Sequence, residues 1–258
     1  MLNIGWFSTG RSESSLKLFT WTLQQIKKLN LPIKIAFVFC NRVQGEHVGT
    51  DNFLEAVTKC KIPLITTSYQ RNKSLHGKNQ REIFDKEIYN KIKDFNTDIC
   101  MLAGYRLILS EYLTKKFIFL NLHPALPDGP IGTWENVIST LIENQIKTTG
   151  AMIHIVTKNL DRGPVVSFHK IALTGRKFDA LWKRINKSKS EKIKLFNVIR
   201  NEGFLKEPFL ILESLKQIGE KKIRIANNQI YHLGNPVIGG ICLNKEIELS
   251  FNKLNKNQ

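Results

Sequence analysis

A chain of 258 residues with 42% hydrophobic content is long enough to bury one sizeable core with an appendage, or two small cores. It has no apolar run near the roughly 18 residues of a membrane span and no signal peptide at its amino terminus, which excludes an integral membrane protein and predicts a cytoplasmic one. The net charge is +17, of which residues 170–258 carry +10, so the chain attracts nucleic acid and phosphate-bearing metabolites alike.

Strands and helices alternate along the first half of the sequence. Each predicted strand is a short apolar run, and the predicted helices carry apolar residues at helical spacing. The predicted strands are 3–8, 33–39, 62–65, 98–102 and 117–123, and the predicted helices are 14–30, 51–60 with Asp51 as its N-cap, 79–95 and 110–115. This order predicts an α/β fold with a doubly wound, mostly parallel sheet and helices on both faces.

Three of these strands, 3–8, 98–102 and 117–123, end at or just before glycine or polar residues. In doubly wound sheets the ligand lies outside the carboxyl ends of the strands, and Gly10, Gly104 and the stretch 121–123 all fall at that edge. The stretch 8–12 also leads into a helix, whose free N–H groups and dipole form an anion site. Many strand-to-helix turns of this kind bind nothing, so the turn alone is a weak signal.

Asn121 and His123 lie two residues apart at the end of an apolar strand, so both side chains face the same way. An amide donor and an imidazole in that position can polarise a carbonyl and stabilise the oxyanion that develops on it. Asp161 follows a second strand-like run, in a loop bounded by Gly163 and Pro164, where its carboxylate can orient the imidazole and favour its protonated form. A lone histidine beside a strand is more often structural, and spacing alone leaves both interpretations open.

The neighbouring sequence predicts what surrounds these residues. Thr133 is the predicted cap of a helix that follows the loop 128–134. His154, on an alternating strand, is predicted to support His123 or Asp161 from behind. The four cysteines are scattered without a CxxC pair, which predicts free thiols and no metal site.

The last third of the chain has a different composition. After a predicted strand over 163–173, a basic amphipathic helix is predicted over 178–199, and a hairpin with an Asn-rich turn over 223–231. We expect a main domain over 1–175 and a small basic C-terminal extension over 176–258. The role of the extension stays open between a lid, a dimer surface, a substrate-selecting module and a packing extension.

Six short motifs follow one another between residues 102 and 163. They are Leu102-Ala103-Gly104-Tyr105, Ile108-Leu109-Ser110, Asn121-Leu122-His123-Pro124-Ala125-Leu126-Pro127, Thr149-Gly150, Ile153-His154-Ile155-Val156 and Leu160-Asp161-Arg162-Gly163. In this order they resemble the folate-dependent formyltransferase family, over about residues 1–175. The series is far more specific than any one motif.

The resemblance implies a role for each matched position. It makes 1–175 the catalytic domain, with catalytic residues Asn121, His123 and Asp161. The matched loop for the phosphate of a ribonucleotide substrate is Thr9, Gly10, Arg11 and Ser12, and the matched folate-binding positions are Arg106, Leu109 and Asn159. The loop has fewer glycines than the family pattern, and Glu13 stands where the family has Asn, so its carboxylate would repel phosphate unless turned away.

The implied reaction moves a formyl group from 10-formyltetrahydrofolate, as cosubstrate, to the amine of glycinamide ribonucleotide in purine biosynthesis, without a metal. An amino sugar nucleotide or aminoacyl-tRNA as acceptor, and hydrolysis of the formyl-folate, stay open, although the loop 128–134 lacks the Arg-rich segment of the tRNA-formylating branch. A non-catalytic nucleic-acid or metabolite-binding protein is the alternative of another class. We expect small-molecule substrates and no membrane partner. Nucleic acid is not the expected partner, although the charge does not exclude it, and a homodimer stays open.

Overall fold

The computed structural model describes residues 1–76 and 80–255. In these ranges the strands are β1 Leu2–Ser8, β2 Ile33–Cys40, β3 Leu64–Thr66, β4 Ile99–Leu102, β5 Phe119–His123, β6 Thr148–Ile155, β7 Val165–Ala172, β8 Ile223–Ala226, β9 Gln229–His232, β10 Asn235–Val237 and β11 Ile241–Cys242. The helices are α1 Glu13–Lys28, α2 Val48–Lys59, α3 Tyr69–His76, α4 Gln80–Ile92, α5 Glu111–Thr114, α6 Trp134–Glu143, α7 Arg176–Trp182, α8 Lys189–Gly219 and α9 Asn244–Asn255.

Eight strands form one sheet in the order β11-β7-β6-β5-β4-β1-β2-β3. The pairs β1–β2, β1–β4, β2–β3 and β4–β5 are parallel, and β6 runs antiparallel to both β5 and β7. The predicted doubly wound, mostly parallel sheet is therefore confirmed. Because parallel strands end at the same edge, the turns after β1, β4 and β5 meet there.

The core consists of two apolar layers, one on each face of the sheet. Side chains of β1 alternate between them, so Trp6 and Phe7, both fully buried, point to opposite faces. Trp6 packs edge-on against Phe19 of α1, with ring centroids 5.8 Å apart, in the layer shared with α2 and α8. Phe7 lies in the other layer with Phe84 of α4. Each such buried side chain stabilises the fold by about 1.5–3 kcal/mol.

The boundary of α2 differs from the prediction. The helix begins at Val48 rather than at Asp51, and its N-cap is His47, whose Nδ1 accepts a hydrogen bond from the Gly49 N–H at 3.0 Å. The Asp51 carboxylate instead accepts from the Gly45 N–H at 2.8 Å, in the loop before the helix. Asp51 as N-cap was thus wrong, because an imidazole nitrogen supplied the acceptor that caps usually take from Ser, Thr, Asp or Asn.

Two further helical predictions need correction. Helix α3 was not predicted, and the predicted start of the following helix at Asn79 lies outside the described residues. The basic helix predicted over 178–199 is two helices, α7 and α8, because Ser188 starts a new one by accepting from the Glu191 N–H at 3.3 Å. Helix α8 then continues through Pro208 to Gly219 and packs against α1, β6 and β7.

The C-terminal hairpin is confirmed. Strands β8 and β9 pair antiparallel, with Ala226 opposite Gln229, and the two residues between them, Asn227 and Asn228, have φ of 51° and 58°. A two-residue turn with both φ values positive suits the twist of the strands, and asparagine tolerates that conformation. The division of the chain after residue 175 stays a prediction.

Candidate active site

Strand β5 carries Asn121 and His123 to the edge where the parallel strands end. In its register with β6, Asn121 lies opposite His154 and His123 lies opposite Met152. The Asn121 amide nitrogen Nδ2 is 3.1 Å from Nε2 of His154. Nδ1 of His154 is 3.0 Å from the Ile155 carbonyl oxygen and donates there, and Nε2 accepts from the Asn121 amide.

Asp161 approaches the two histidines from the loop between β6 and β7. Its Oδ2 is 3.5 Å from Nδ1 of His123, and its Oδ1 is 3.6 Å from Nε2 of His154. The Gly132 N–H donates to the same Oδ2 at 3.1 Å. The structure therefore brings these residues together, with His154 beside Asp161, while their catalytic roles stay predictions.

The loop that presents Asp161 is tightly constrained. Asp161 itself has a φ of 52°, in the left-handed region that few non-glycine residues adopt. Two residues later, a Cβ on Gly163 would lie 1.7 Å from the Ile155 carbonyl oxygen, so only glycine permits this approach. The glycine thus fixes where the loop returns to β7, and with it the position of the carboxylate.

Opposing influences act on the charge of His123. The ring is 2% exposed, and burial lowers its pKa below the usual 6.5. The Pro130 carbonyl, which accepts from Nε2 at 2.9 Å, and the Asp161 carboxylate both raise the pKa but do not outweigh burial. Asp161 therefore raises the pKa of His123, as the sequence predicted. The overall pKa is nevertheless lowered, so the free protein holds less of the protonated ring than the sequence suggested.

The pKa of the Asp161 carboxyl is also lowered, which favours the charged form of this group. Burial by itself raises its pKa, but the nearby His154 and His123 rings and the Gly132 N–H together lower it. The carboxyl is thus held as a carboxylate between two histidine rings. An anion in this position favours a proton on the His123 ring, the more so when a second negative charge develops nearby.

These residues open onto a cavity of about 560 Å³. Its lining comes from six parts of the chain: the start of α1, the segment 104–109 after β4, the end of β5, the loop before α6, the loop after β6 and α8. The predicted folate-binding residues that line it are Arg106, Leu109 and Asn159. All three predicted folate positions and all three predicted catalytic positions therefore share one cavity.

The predicted phosphate loop is only partly at the cavity. Ser12 lines it and caps α1, accepting from the Ser15 N–H at 3.2 Å. Thr9 is buried beneath, where its Oγ1 accepts from the Arg106 N–H at 3.0 Å. Gly10, with a φ of 66°, packs against Phe53, and the exposed Arg11 is not among the lining residues of the described chain. Thr9 thus supports the site from below the cavity floor.

Glu13 was predicted to repel a phosphate unless turned away. Its carboxylate pairs with Lys17 one turn later on α1, at 2.8 Å. This contact directs the negative charge along the helix surface. Ser14 and Ser15, the two residues that follow, line the cavity with hydroxyl groups, and Ser12 Oγ lies 2.7 Å from Ser14 Oγ.

Two lining residues were missed by the sequence analysis. Arg200 and Glu207, both on α8, line the cavity, and their side chains form an ion pair of 2.6 Å. The Arg200 guanidinium also lies over the Trp134 ring, 4.7 Å from its centroid. The available signal was their spacing of seven residues, which places them on one face of a helix, but the helix was predicted to end at 199.

The described residues show neither a metal centre nor a membrane span. Across 1–76 and 80–255, His, Cys, Asp and Glu side chains form no group of three or more able to hold a metal ion. In the same ranges, every helix is too short or too polar to cross a bilayer.

A doubly wound sheet that brings an amide, an imidazole and a carboxylate to one cavity defines a Rossmann-type α/β protein with a site for carbonyl chemistry. The sequence model of the formyl transferase family matches residues 12–195, and the chain belongs to that family. The resemblance drawn from the six motifs is thereby confirmed.

Individual relatives agree with this assignment. The chain is 30% identical over 145 residues to the phosphoribosylglycinamide formyltransferase of Dictyostelium discoideum, covering 52% of this chain and 70% of that protein. It is 32% identical over 93 residues to the Escherichia coli protein of the same name, covering 35% of this chain and 43% of that one. A solved phosphoribosylglycinamide formyltransferase from Coxiella burnetii shares the fold, with a TM-score of 0.71, 18% identity and coverage of 93% and 98%.

Proposed function

We propose that this protein transfers the formyl group of 10-formyltetrahydrofolate to the amine of glycinamide ribonucleotide. The observation that carries the proposal is that Asn121, His123 and Asp161 line one cavity, where Asp161 lies beside both His123 and His154, and His154 in turn contacts Asn121. The two relatives that bear the name of this activity add support.

The reaction begins when the amine nitrogen of the acceptor attacks the formyl carbon and forms a C–N bond. The formyl oxygen becomes an oxyanion in the tetrahedral intermediate. Asn121 donates one amide hydrogen to His154, which leaves its second amide hydrogen for that oxyanion. A preorganised donor of this kind is worth about 2.7–4 kcal/mol of transition-state stabilisation.

His123 supplies the proton transfer. The developing oxyanion adds a negative charge beside Asp161, and both charges raise the pKa of the buried ring, so the imidazole takes up the proton that the attacking amine loses. The imidazolium stabilises the intermediate and then passes its proton to the folate nitrogen as the bond from that nitrogen to the formyl carbon breaks. Atoms and charges balance without a metal or a redox partner.

The start of α1 suits the phosphate of the acceptor. Ser12, Ser14 and Ser15 place hydroxyl groups on the cavity wall at the N-terminus of a 16-residue helix. Free N–H groups and the helix dipole favour an anion there. Glu13, which pairs with Lys17, does not oppose it.

The segment 104–109, with Leu160 across the cavity, suits the folate. Ile108 and Leu160 are 63% and 44% exposed, and such apolar side chains at a cavity mouth are suited to cover the flat ring system of the folate. The catalytic residues then lie between the part of the cavity that binds the folate and the part that binds the acceptor.

A turnover assay tests the proposal. The protein is mixed with 10-formyltetrahydrofolate and, in separate reactions, glycinamide ribonucleotide, an amino sugar nucleotide, an aminoacyl-tRNA, or water alone, and the products are identified by mass. We expect formylated glycinamide ribonucleotide, with kcat lower by about 10² to 10⁴ in His123→Ala. The matched control, His232→Ala in the small sheet, should keep wild-type turnover. Folate release with water alone, or product from another acceptor only, would overturn the proposal.

A further inference from the structure

The segment 104–109 lines the donor side of the cavity with little secondary structure of its own. It follows β4 and precedes α5, and no backbone–backbone hydrogen bond joins residues 105–109 to the rest of the described chain. The N–H and C=O groups of Leu107, Ile108 and Leu109 are therefore free to pair with a bound molecule. We call the segment 104–109 the strip. Its main-chain groups can bind a ligand specifically only if both ends of the strip are held in place.

The first end is held by the turn after β1. The Thr9 N–H donates to the Gly104 carbonyl at 3.0 Å, and the Arg106 N–H donates to Thr9 Oγ1 at 3.0 Å. A Cβ on Gly104, whose φ is 73°, would lie 2.4 Å from Ser15 Oγ, so the chain passes close to α1. These contacts fix the position and the direction of the backbone where the strip begins.

The second end is held by one side chain. The Ser110 N–H donates to Oδ2 of Asp85, on α4, at 2.5 Å. The Ser110 hydroxyl lies beside the same carboxyl and, like the N–H, acts to lower its pKa, and it does not cap α5. Across the part of the chain that the structure describes, the Asp85 contact is therefore the polar anchor of the strip at this end.

Asp85 is costly to bury, which argues that its contact matters. It is fully buried, and burial raises the pKa of its carboxyl, while the Arg81 charge and the Ser110 N–H oppose that rise. Arg81 is the neighbouring cation, with its Nη2 3.6 Å from Oδ1, and it lies over the rings of Tyr69 and Phe84. A buried acidic group is expensive unless it is paired and hydrogen-bonded, and here its short bond goes to the strip.

We propose that Asp85 is a positioning residue for the formyl donor: through the Ser110 N–H it fixes the end of the strip 104–109, whose main-chain groups pair with the folate. The inference rests on the proposed function, since it names the donor as the ligand of the strip. Asp85 touches neither substrate. It acts on donor affinity rather than on the chemical step or on acceptor binding.

Equilibrium binding of tetrahydrofolate, measured without turnover, tests this directly. We expect Asp85→Leu to weaken binding about tenfold or more, because the N–H loses its acceptor and the strip loses its anchor. Asp85→Asn keeps a side-chain oxygen and should bind within about threefold of wild type. Glu82→Gln, on the same helix and paired with Lys86 at 2.7 Å, is the matched control and should bind like wild type.

A second variant removes the same hydrogen bond from the other side. Ser110 has a φ of −73°, which proline adopts without strain, and Ser110→Pro deletes the donating N–H, together with the hydroxyl, while leaving Asp85 in place. It should weaken tetrahydrofolate binding as Asp85→Leu does. In steady-state kinetics both should raise KM for the formyl donor about tenfold, with kcat and the KM for the acceptor changed less than about threefold.

The outcomes separate this inference from the function on which it rests. If wild-type protein binds no tetrahydrofolate, the proposed function and the inference both fail. If wild type binds and transfers the formyl group but Ser110→Pro and a folded Asp85→Leu bind equally well, the inference alone is overturned. A fall in kcat with an unchanged donor KM would also overturn it. Should Asp85→Leu fail to fold, Ser110→Pro decides the question.

Discussion

Acid is predicted to destabilise the protein through His169, a histidine outside the candidate site. The ring, on β7, is 2% exposed, and neither of its nitrogens has a hydrogen-bond partner in the described ranges. Burial, with the positive charge of Lys206, lowers its pKa from 6.5 to about 4. The other charged side chains around the adjoining cavity, of about 260 Å³, are Lys170, Glu202 and Glu248.

The size and sign of the effect follow from this pKa. The folded protein binds the proton more weakly than the unfolded chain, so the stability that His169 contributes is complete above about pH 6.5 and is lost as the pH falls toward 4. A difference of about 2.5 pKa units corresponds to about 3 kcal/mol in total. Of this, about 2 kcal/mol is lost between about pH 7 and pH 5.

Urea unfolding of wild type and His169→Leu at about pH 7, 6 and 5 measures this loss, with tryptophan fluorescence and circular dichroism as the two probes. Leucine has a similar size and no titrating group. Between the two extremes, the free energy of unfolding should fall about 2 kcal/mol less in the variant. The lowered pKa of His123 acts on both proteins alike and cancels in the difference. An equal loss in both proteins would refute the reasoning.

Three substitutions test the site and its supports. Asp161→Asn should lower kcat by about 10² to 10⁴ with an unchanged circular dichroism spectrum, because the amide keeps the shape but loses the charge beside His123; near-normal turnover would contradict this role. Gly163→Ala should reduce activity together with thermal stability, since its Cβ meets the Ile155 carbonyl; normal values of both would contradict the constraint. Ser188→Ala should cost about 1 kcal/mol in urea, as the loss of a helix cap does, without changing kcat; no change in stability would contradict the cap.

The sheet could be predicted from the sequence because its strands are apolar runs separated by periodic helices. Buried parallel strands such as β1 and β5 need that composition, and chain connectivity then places their ends at one edge. The approach of Asn121 and His123 to that edge could be predicted for the same reason, while the catalytic roles of these residues and of Asp161 stay predictions. Asn121 and His123 share one strand. Asp161 lies in another of the six motifs, whose order identified the family of the chain.

Other features depend on contacts between distant segments. The break between α7 and α8 is set by the Ser188 cap, which a continuous basic periodicity over 178–199 concealed. Helix α8 continues through Pro208, where local propensity predicts an end, because its buried apolar residues pack on the sheet. Because α8 does not end at the predicted residue 199, Arg200 and Glu207 lie on it and line the cavity, and their helical spacing alone does not show which surface they face.

The charge of His123 likewise required the structure. From the sequence, Asp161 was expected to favour the protonated ring, and it does raise the pKa. Burial of the ring, which is 2% exposed, lowers the pKa by more than the carboxylate raises it. Burial of that extent arises from tertiary packing, which the residues around His123 in the sequence do not specify.

Formyl transfer in the presence of glycinamide ribonucleotide, followed by mass spectrometry in wild type and His123→Ala, tests the central claim most directly. The account predicts a product heavier than glycinamide ribonucleotide by one formyl group in exchange for hydrogen, formed by wild type and reduced by about 10² or more in the variant. A folded wild-type protein that binds both substrates and forms no such product, or a variant with undiminished turnover, would contradict it.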